Sequence, residues 1–234
     1  MAFSGGIFNT SRPPLENPEQ HRRFIPPTAD TKPLDIFSLK TNRCSVPALR
    51  YIRNGDYETM LMFVDGATSN NGEDSASVGF GVVFRAQGNI AGRLERPPAG
   101  SAQTSNRAEI RAVLCALQLR YWPGEGFHKI ILASDSVYVV LGACERLSGW
   151  SRNGWKTNEG TPVKNRDLWE MLLTELNKWE GEGIQVQFWL IPKEWNTVAD
   201  LLAKEGAEVH IPFIQQIAKL LILIAERGRT REIL

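Results

Sequence analysis

The stretch MLMFVDGATSN, Met60 to Asn70, decides how the chain is read. Its apolar run reads as a buried strand. The run leads straight into Asp65, and a carboxylate buried at a strand end is costly unless something pairs with it. Gly66, Ala67 and small polar residues follow. What pairs with Asp65 is the question the rest of the sequence has to answer.

Outward from this stretch, periodicity sets the element order. VGFGVVFR (Val78–Arg85) is a second strand. Asn89–Leu94 is a third, joined to it antiparallel by a turn at Gln87-Gly88. Ala108–Tyr121 is a helix, because Ile110, Val113, Leu114 and Leu117 recur at helical spacing, and Pro123-Gly124 stop it. KIILA (Lys129–Ala133) is a fourth strand. Ser136–Cys144 is a helix, and a polar, Trp-rich segment runs from Leu147 to Lys164. Arg166–Trp179 is an amphipathic helix and Ile184–Ile191 a fifth strand. Thr197–Ala207 and Pro212–Ala225 are helices. The pattern predicts an α/β fold, a five-stranded mixed sheet flanked by helices, with an extra C-terminal helix.

Residues 1–56 contain seven of the 13 prolines and no sustained periodicity. They are expected to form a disordered tail with one short docking segment near Val46–Ile52. The domain is expected to span 57–208, followed by a helical extension over 209–234. Three cysteines, Cys44, Cys115 and Cys144, are too few and too widely spaced for a disulfide framework or a zinc site. Cys115 falls in an apolar helical pattern and reads as a small core residue. No disulfide-linked partner is expected. The first 30 residues lack an apolar core segment of the secretory kind, and Glu16 and Glu19 disfavour a mitochondrial presequence. The longest apolar run, Leu220 to Ala225, is too short to span a bilayer, so no membrane partner is expected. A reducing intracellular compartment, nucleus or cytoplasm, is the expectation.

Four acidic residues share an address. Asp65 ends the first strand, Glu109 opens the first long helix, Asp135 ends the fourth strand and Asp200 begins the helix after the fifth. If the first and fourth strands are parallel neighbours, Asp65 and Asp135 project from the same sheet edge, where α/β sheets place ligands. Four carboxylates in one pocket repel unless cations are present. Oxygen-only ligands select hard cations, Mg²⁺ above all. Two such ions about 3.5–4 Å apart are the usual arrangement for phosphoryl transfer. Each residue also has an ordinary role open to it. Asp65 before Gly66 fits a turn. Glu109 can close a capping box with Asn106. Ser134-Asp135-Ser136 can cap a helix, and Asp200 can be a solvated helix carboxylate.

A second constellation is RLSGWSRNGWKTNEGTPVKNR, Arg146 to Arg166. It carries Arg146, Arg152, Lys156, Lys164 and Arg166 against Glu159, although residues 60–208 hold 15 Lys and Arg against 18 Asp and Glu. Trp150 and Trp155 lie among these cations. Basic side chains neutralise phosphates and aromatic faces pack on sugars and bases. The alternative is a loop whose tryptophans anchor it to the core.

With FVDGATSNNG, TSNRAEIRAVLCAL, ASDSVYVV, GWSRNGWKT, PVKNRDLW and NTVADLLAKEGA in this order, residues 57–208 resemble type 1 ribonuclease H. The resemblance implies a five-stranded mixed sheet with helices. It also implies cleavage of the RNA strand of an RNA–DNA hybrid, leaving 3′-hydroxyl and 5′-phosphate ends. It makes Asp65, Glu109, Asp135 and Asp200 the catalytic, metal-binding tetrad, with two Mg²⁺ ions and Mn²⁺ as a substitute. It places Asn71, Ser105 and Asn106 against RNA 2′-hydroxyls, a physically sensible reading because that group distinguishes the strands. Ser105 departs from the amide the family usually has there. Thr104 and Asn165 match a pocket for a phosphate of the DNA strand. Trp150, Arg152, Trp155, Lys156 and Lys164 match the basic protrusion that lines the DNA channel. The family's glycine-rich loop with a histidine before the last aspartate is missing: here LIPKEWNTVAD is short and has no histidine. A catalytically weak nucleic-acid-binding module of the same fold is therefore the alternative.

Overall fold

The computed structural model describes residues 21–69, 77–98 and 102–209. The helix expected over Pro212–Ala225 and the RNA contact expected at Asn71 lie outside them.

The central strand is β3, Asp56–Ser69, with β4 (Ser77–Val83) and β5 (Ile90–Arg93) following it antiparallel. β6 (Lys129–Ser134) lies parallel along the other side of β3, and β7 (Gln185–Leu190) lies parallel to β6. These are the five strands read from the sequence. Side chains alternate faces along β3. Met60, Met62 and Val64 enter one core cluster, and Leu61 and Phe63 enter a second on the opposite face. Burial on both faces is why this strand is continuously apolar rather than alternating.

Helices α2 (Ser105–Gln118) and α5 (Arg166–Gly181) contribute Ile110, Val113, Leu114, Leu117, Leu172, Leu176 and Trp179 to the first cluster. Cys115 is buried there too. α3 (Val137–Leu141) runs through a π-helical turn, Gly142–Arg146, into α4 (Leu147–Arg152). α6 (Thr197–Glu208) packs on the opposite face, chiefly over β4 with β3 and β5. Its approach depends on glycine. A Cβ at Gly81 would lie 2.4 Å from the Ala199 carbonyl oxygen. One at Gly66 would lie 2.3 Å from the Glu109 amide nitrogen of α2. The glycine after Asp65 therefore admits the helix that carries Glu109, and the one paired with Asp65 admits the helix that carries Asp200.

The expectation of a disordered tail over 1–56 is corrected for residues 21–56. α1 (Pro33–Ile36) leads into β1 (Phe37–Thr41), which pairs antiparallel with β2 (Leu49–Arg53). β2 pairs with the first part of β3 on the edge that β4 occupies farther along. Among the described residues the sheet therefore has seven strands. At the opposite edge, Phe24 donates its amide to the Phe188 carbonyl at 2.9 Å, and the Phe188 amide donates to Arg22 at 2.7 Å. This covers the outer side of β7, as edge strands require. Phe24 and Phe37 are buried against Trp189 and Ile131. Arg22, 1% exposed, makes a two-pronged salt bridge to buried Glu180 of α5, at 2.9 and 2.8 Å. Many prolines precede and interrupt this segment, but its few large apolar residues cover a sheet face that α6 leaves open.

Candidate active site

β3 does not stop at Asp65 but continues to Ser69, so the carboxylate stands within a strand, opposite Gly81. It is 6% exposed, and its Oδ1 accepts from the Gly66 amide at 2.7 Å. Burial first, and then the charges of Asp135, Asp200 and Glu109, push its pKa up to about 7 against the lowering effect of that amide. The last β3–β6 pair is Phe63↔Ala133, and Asp135 follows one residue after β6 ends. The parallel pairing expected for these two strands is the one observed.

α2 begins three residues earlier than periodicity suggested, with Thr104 as its cap: the Thr104 side chain accepts from the Arg107 amide. The Asn106–Glu109 capping box is therefore not what ends the helix, and Glu109 lies one turn inside it. Glu109 is raised above the usual carboxylate range by burial, with Asp135 adding to the shift. The Ser136 hydroxyl donates to its Oε2 at 2.5 Å, which opposes that rise. Ser136 is at the same time the cap of α3, accepting from the Val139 amide. Its capping role and its contact with the site coexist in one hydroxyl.

Asp200 lies in the first turn of α6. Lys204, four residues on, is 2.5 Å from its Oδ2, and Lys193 is 3.8 Å from its Oδ1. Asp200 in turn holds the Lys204 ammonium pKa above its ordinary value. Lys193 belongs to the short 3-10 turn Lys193–Trp195, between β7 and α6.

Asp135, Asp200 and Glu109 are near enough to Asp65 to raise its pKa, and Asp135 is near enough to Glu109 to do the same there. Among the described residues, however, no three acidic, histidine or cysteine side chains form a closed ligand cage. The chemistry of the donor set still fits a hard divalent cation. All four donors offer oxygen alone, and the charges of Asp135, Asp200 and Glu109 act on Asp65 to raise its pKa.

Thr104 and Asn165 are brought together by Arg107. Its amide donates to Thr104, its Nη1 reaches Asn165 Oδ1 at 3.5 Å, and its fork grips Asp167 at 2.9 and 2.6 Å. Asn165 is left-handed, with φ of 57°, a conformation that asparagine tolerates. Its Nδ2 donates to the Tyr138 hydroxyl at 3.1 Å. Ser105 and Asn106 form the first turn of α2 beside Thr104, both partly exposed.

The basic segment is α4 plus a loop closed by a Lys156↔Pro162 bridge. Arg152, Lys156 and Lys164 are exposed. Trp150 is half-buried, edge-on to Trp169 at 5.4 Å. The expectation that Trp155 faces a nucleic acid is corrected. It is 9% exposed, belongs to the main core cluster and has φ of 62°, so it anchors the loop. A cleft of about 410 Å³ beside Trp150, Arg146 and Asn153 belongs to this segment, and none of the four carboxylates lines it.

Sequence reasoning missed Asn196, Lys204 and Arg107. Lys204 was legible from its spacing to Asp200. Asn196, immediately before a helix, stands where an ordinary cap is common.

The RNase H family model matches residues 57–208. Ribonuclease H of Dechloromonas aromatica (strain RCB) is 36% identical over 153 residues, covering 64% of this chain and 95% of that protein. Ribonuclease H of Cyanothece sp. (strain PCC 7425 / ATCC 29141) is 40% identical over 116 residues, 49% of this chain and 69% of that one. Mouse ribonuclease H1 is 32% identical over 155 residues; the match takes in 64% of this chain and about half, 51%, of that protein. Among solved structures, a foamy viral protease-reverse transcriptase in complex with RNA/DNA hybrid matches 63% of this chain and 20% of its own. Its TM-score is 0.50 at 22% identity, a likeness of fold alone. With the family model matched from β3 to the end of α6, the chain belongs to the RNase H family.

Proposed function

We propose that this chain is an endoribonuclease that cleaves the RNA strand of RNA–DNA hybrids, using two magnesium ions and leaving 3′-hydroxyl and 5′-phosphate ends. The observation that carries the reading is the buried Asp65, its pKa raised to about 7 partly by Asp135, Asp200 and Glu109. A site of this kind is built for positive charge. Asp65, Glu109, Asp135 and Asp200 would hold the ions, with Mn²⁺ as a substitute for Mg²⁺. When bound, such ions activate the attacking water and stabilise the leaving oxygen.

The chain's own residues do the rest. The Ser136 hydroxyl orients Glu109. Thr104 and Asn165, tied through Arg107, suit a phosphate of the DNA strand, helped by the place of Thr104 at the N-terminal end of α2. Ser105, Asn106 and Asn71 suit the 2′-hydroxyls of the RNA strand. Arg152, Lys156 and Lys164 track the DNA backbone, and Trp150 supports them.

Replacing Arg152, Lys156 and Lys164 together with Ala is expected to weaken hybrid binding and flatten its dependence on salt. Each lost phosphate contact reduces the log–log slope by roughly one unit. An unchanged slope in a filter-binding or anisotropy titration would remove this segment from the interface.

The experiment that tests the function is incubation of the purified protein with labelled RNA–DNA hybrid, double-stranded RNA and single-stranded RNA, with end-group analysis of the products. Cleavage confined to the hybrid, with 5′-phosphate ends, is the expected result. The loop Pro192–Trp195, which carries no histidine, favours one second reading: a module that binds hybrid and turns over slowly or not at all. Hybrid binding without cleavage in a single turnover would establish it.

A further inference from the structure

Asn196 stands where α6 begins, and an asparagine there ordinarily accepts from the helix's first free amides. Here it makes no such bond. Its side chain turns the other way and is 1% exposed. Nδ2 donates to the Val64 carbonyl at 3.0 Å and to Oδ1 of Asp135 at 2.7 Å. Both partners are acceptors, so the bonding itself dictates which way the amide faces. Its Oδ1 is buried without a hydrogen-bond partner. An unmade cap and an unpaired amide oxygen both cost stability, so helix capping does not account for this residue.

Three carboxylate-bearing elements meet at Asn196. Val64 precedes Asp65 on β3. Asp135 follows β6. The Asn196 carbonyl accepts from the Asp200 amide at 3.0 Å, within the first turn of α6. The β3–β6 ladder has its last pair at Phe63↔Ala133, so the Asn196 amide joins the two chains just past the point where their own pairing stops. Like charges at those two ends push apart. A donor that grips one strand's backbone and the other's carboxylate opposes that spreading. By holding Oδ1 of Asp135, it also sets the direction in which the second oxygen points.

We infer that Asn196 is a positioning residue of the divalent-cation site, fixing the plane of the Asp135 carboxylate and the spacing of the strands that carry Asp65 and Asp135. The inference rests on reading the four carboxylates as a cation site. Outer groups that orient metal ligands typically contribute about 10–100-fold in metal affinity. Magnesium alone, titrated calorimetrically into the Asn196→Ala full-length chain, should bind at least about 10-fold more weakly than in the wild type, while the variant still melts cooperatively. Affinity unchanged to within about twofold would overturn the inference, because a purely structural amide lowers the melting temperature without moving metal affinity. If Asn196→Ala does not fold, the wild type decides. The Asn196 side-chain amide resonances, assigned by NMR, should shift with added magnesium at the calorimetric midpoint, and resonances that stay still overturn the inference. A wild type that takes up no magnesium would overturn the cation-site reading and this inference with it. That failure is seen before any variant is made, so the two are distinguishable.

Discussion

Asp65→Asn or Asp135→Asn abolishes cleavage of an RNA–DNA hybrid and leaves the protein folded. Each substitution keeps the side chain's shape and removes a charged ligand. A bound ion's share of charge stabilisation is several kcal/mol, so its loss lowers the rate by at least about 10³-fold. The same change acts on the metal-free protein in the opposite direction. In the folded chain the Asp65 carboxyl is raised from 3.8 to about 7. The folded state therefore holds that proton more tightly than the unfolded chain does. The resulting stability is fully present below about pH 4 and is lost as pH rises through about 7. The metal-free wild type should melt lower across this window, and Asp65→Asn should flatten that slope and melt higher near pH 7. Added magnesium should restore the wild type at neutral pH and do little for the variant. Wild-type cleavage by either variant would remove it from the catalytic set.

Glu180→Ala lowers stability by about 3–5 kcal/mol, because it leaves the buried Arg22 guanidinium without its partner. For a chain of this size that is a fall of roughly 10 °C in melting temperature. Alanine is a good helix former, so α5 itself is not what fails. Replacing both partners together, Arg22→Met with Glu180→Leu, should recover most of the loss, since apolar pairs of similar volume substitute well for buried ion pairs. A loss below about 1 kcal/mol, the range of exposed pairs, would mean that the segment around Arg22 is not seated on α5 and β7 in solution.

What the sequence made legible, and what it concealed, follows from how each residue is buried. MLMFV was legible because β3 is covered on both faces, so it needs no alternation. α2 was legible because Ile110, Val113, Leu114 and Leu117 face one core. The carboxylates were legible because Asp65 and Asp135 interrupt apolar strand runs and Glu109 and Asp200 fall near the beginnings of helices, although β3 runs on past Asp65 and α2 begins before Glu109. β1 and β2 were not, because FSLKT and LRYIR are five-residue strands in which buried positions are outnumbered by partly or fully exposed ones. They lean on a sheet face whose need for cover appears only in three dimensions. Trp155 was ambiguous because a tryptophan among cations serves equally as a stacking platform or an anchor, and its burial in the main core cluster decided for the anchor. Asn196 was concealed for the opposite reason. A complete local explanation, the helix cap, was available for it, and only the 2.7 Å bond to Asp135 shows that the side chain is used elsewhere.

The most direct test of the catalytic site is a single-turnover time course on a labelled RNA–DNA hybrid, with protein in excess, across a magnesium titration from chelator-treated protein. No cleavage is expected without divalent cation. With magnesium added, the rate should rise over the range in which the ion binds calorimetrically, and Asp65→Asn should show no such rise. Cleavage that persists in chelator, or that follows magnesium equally in Asp65→Asn, would contradict this reading of the site.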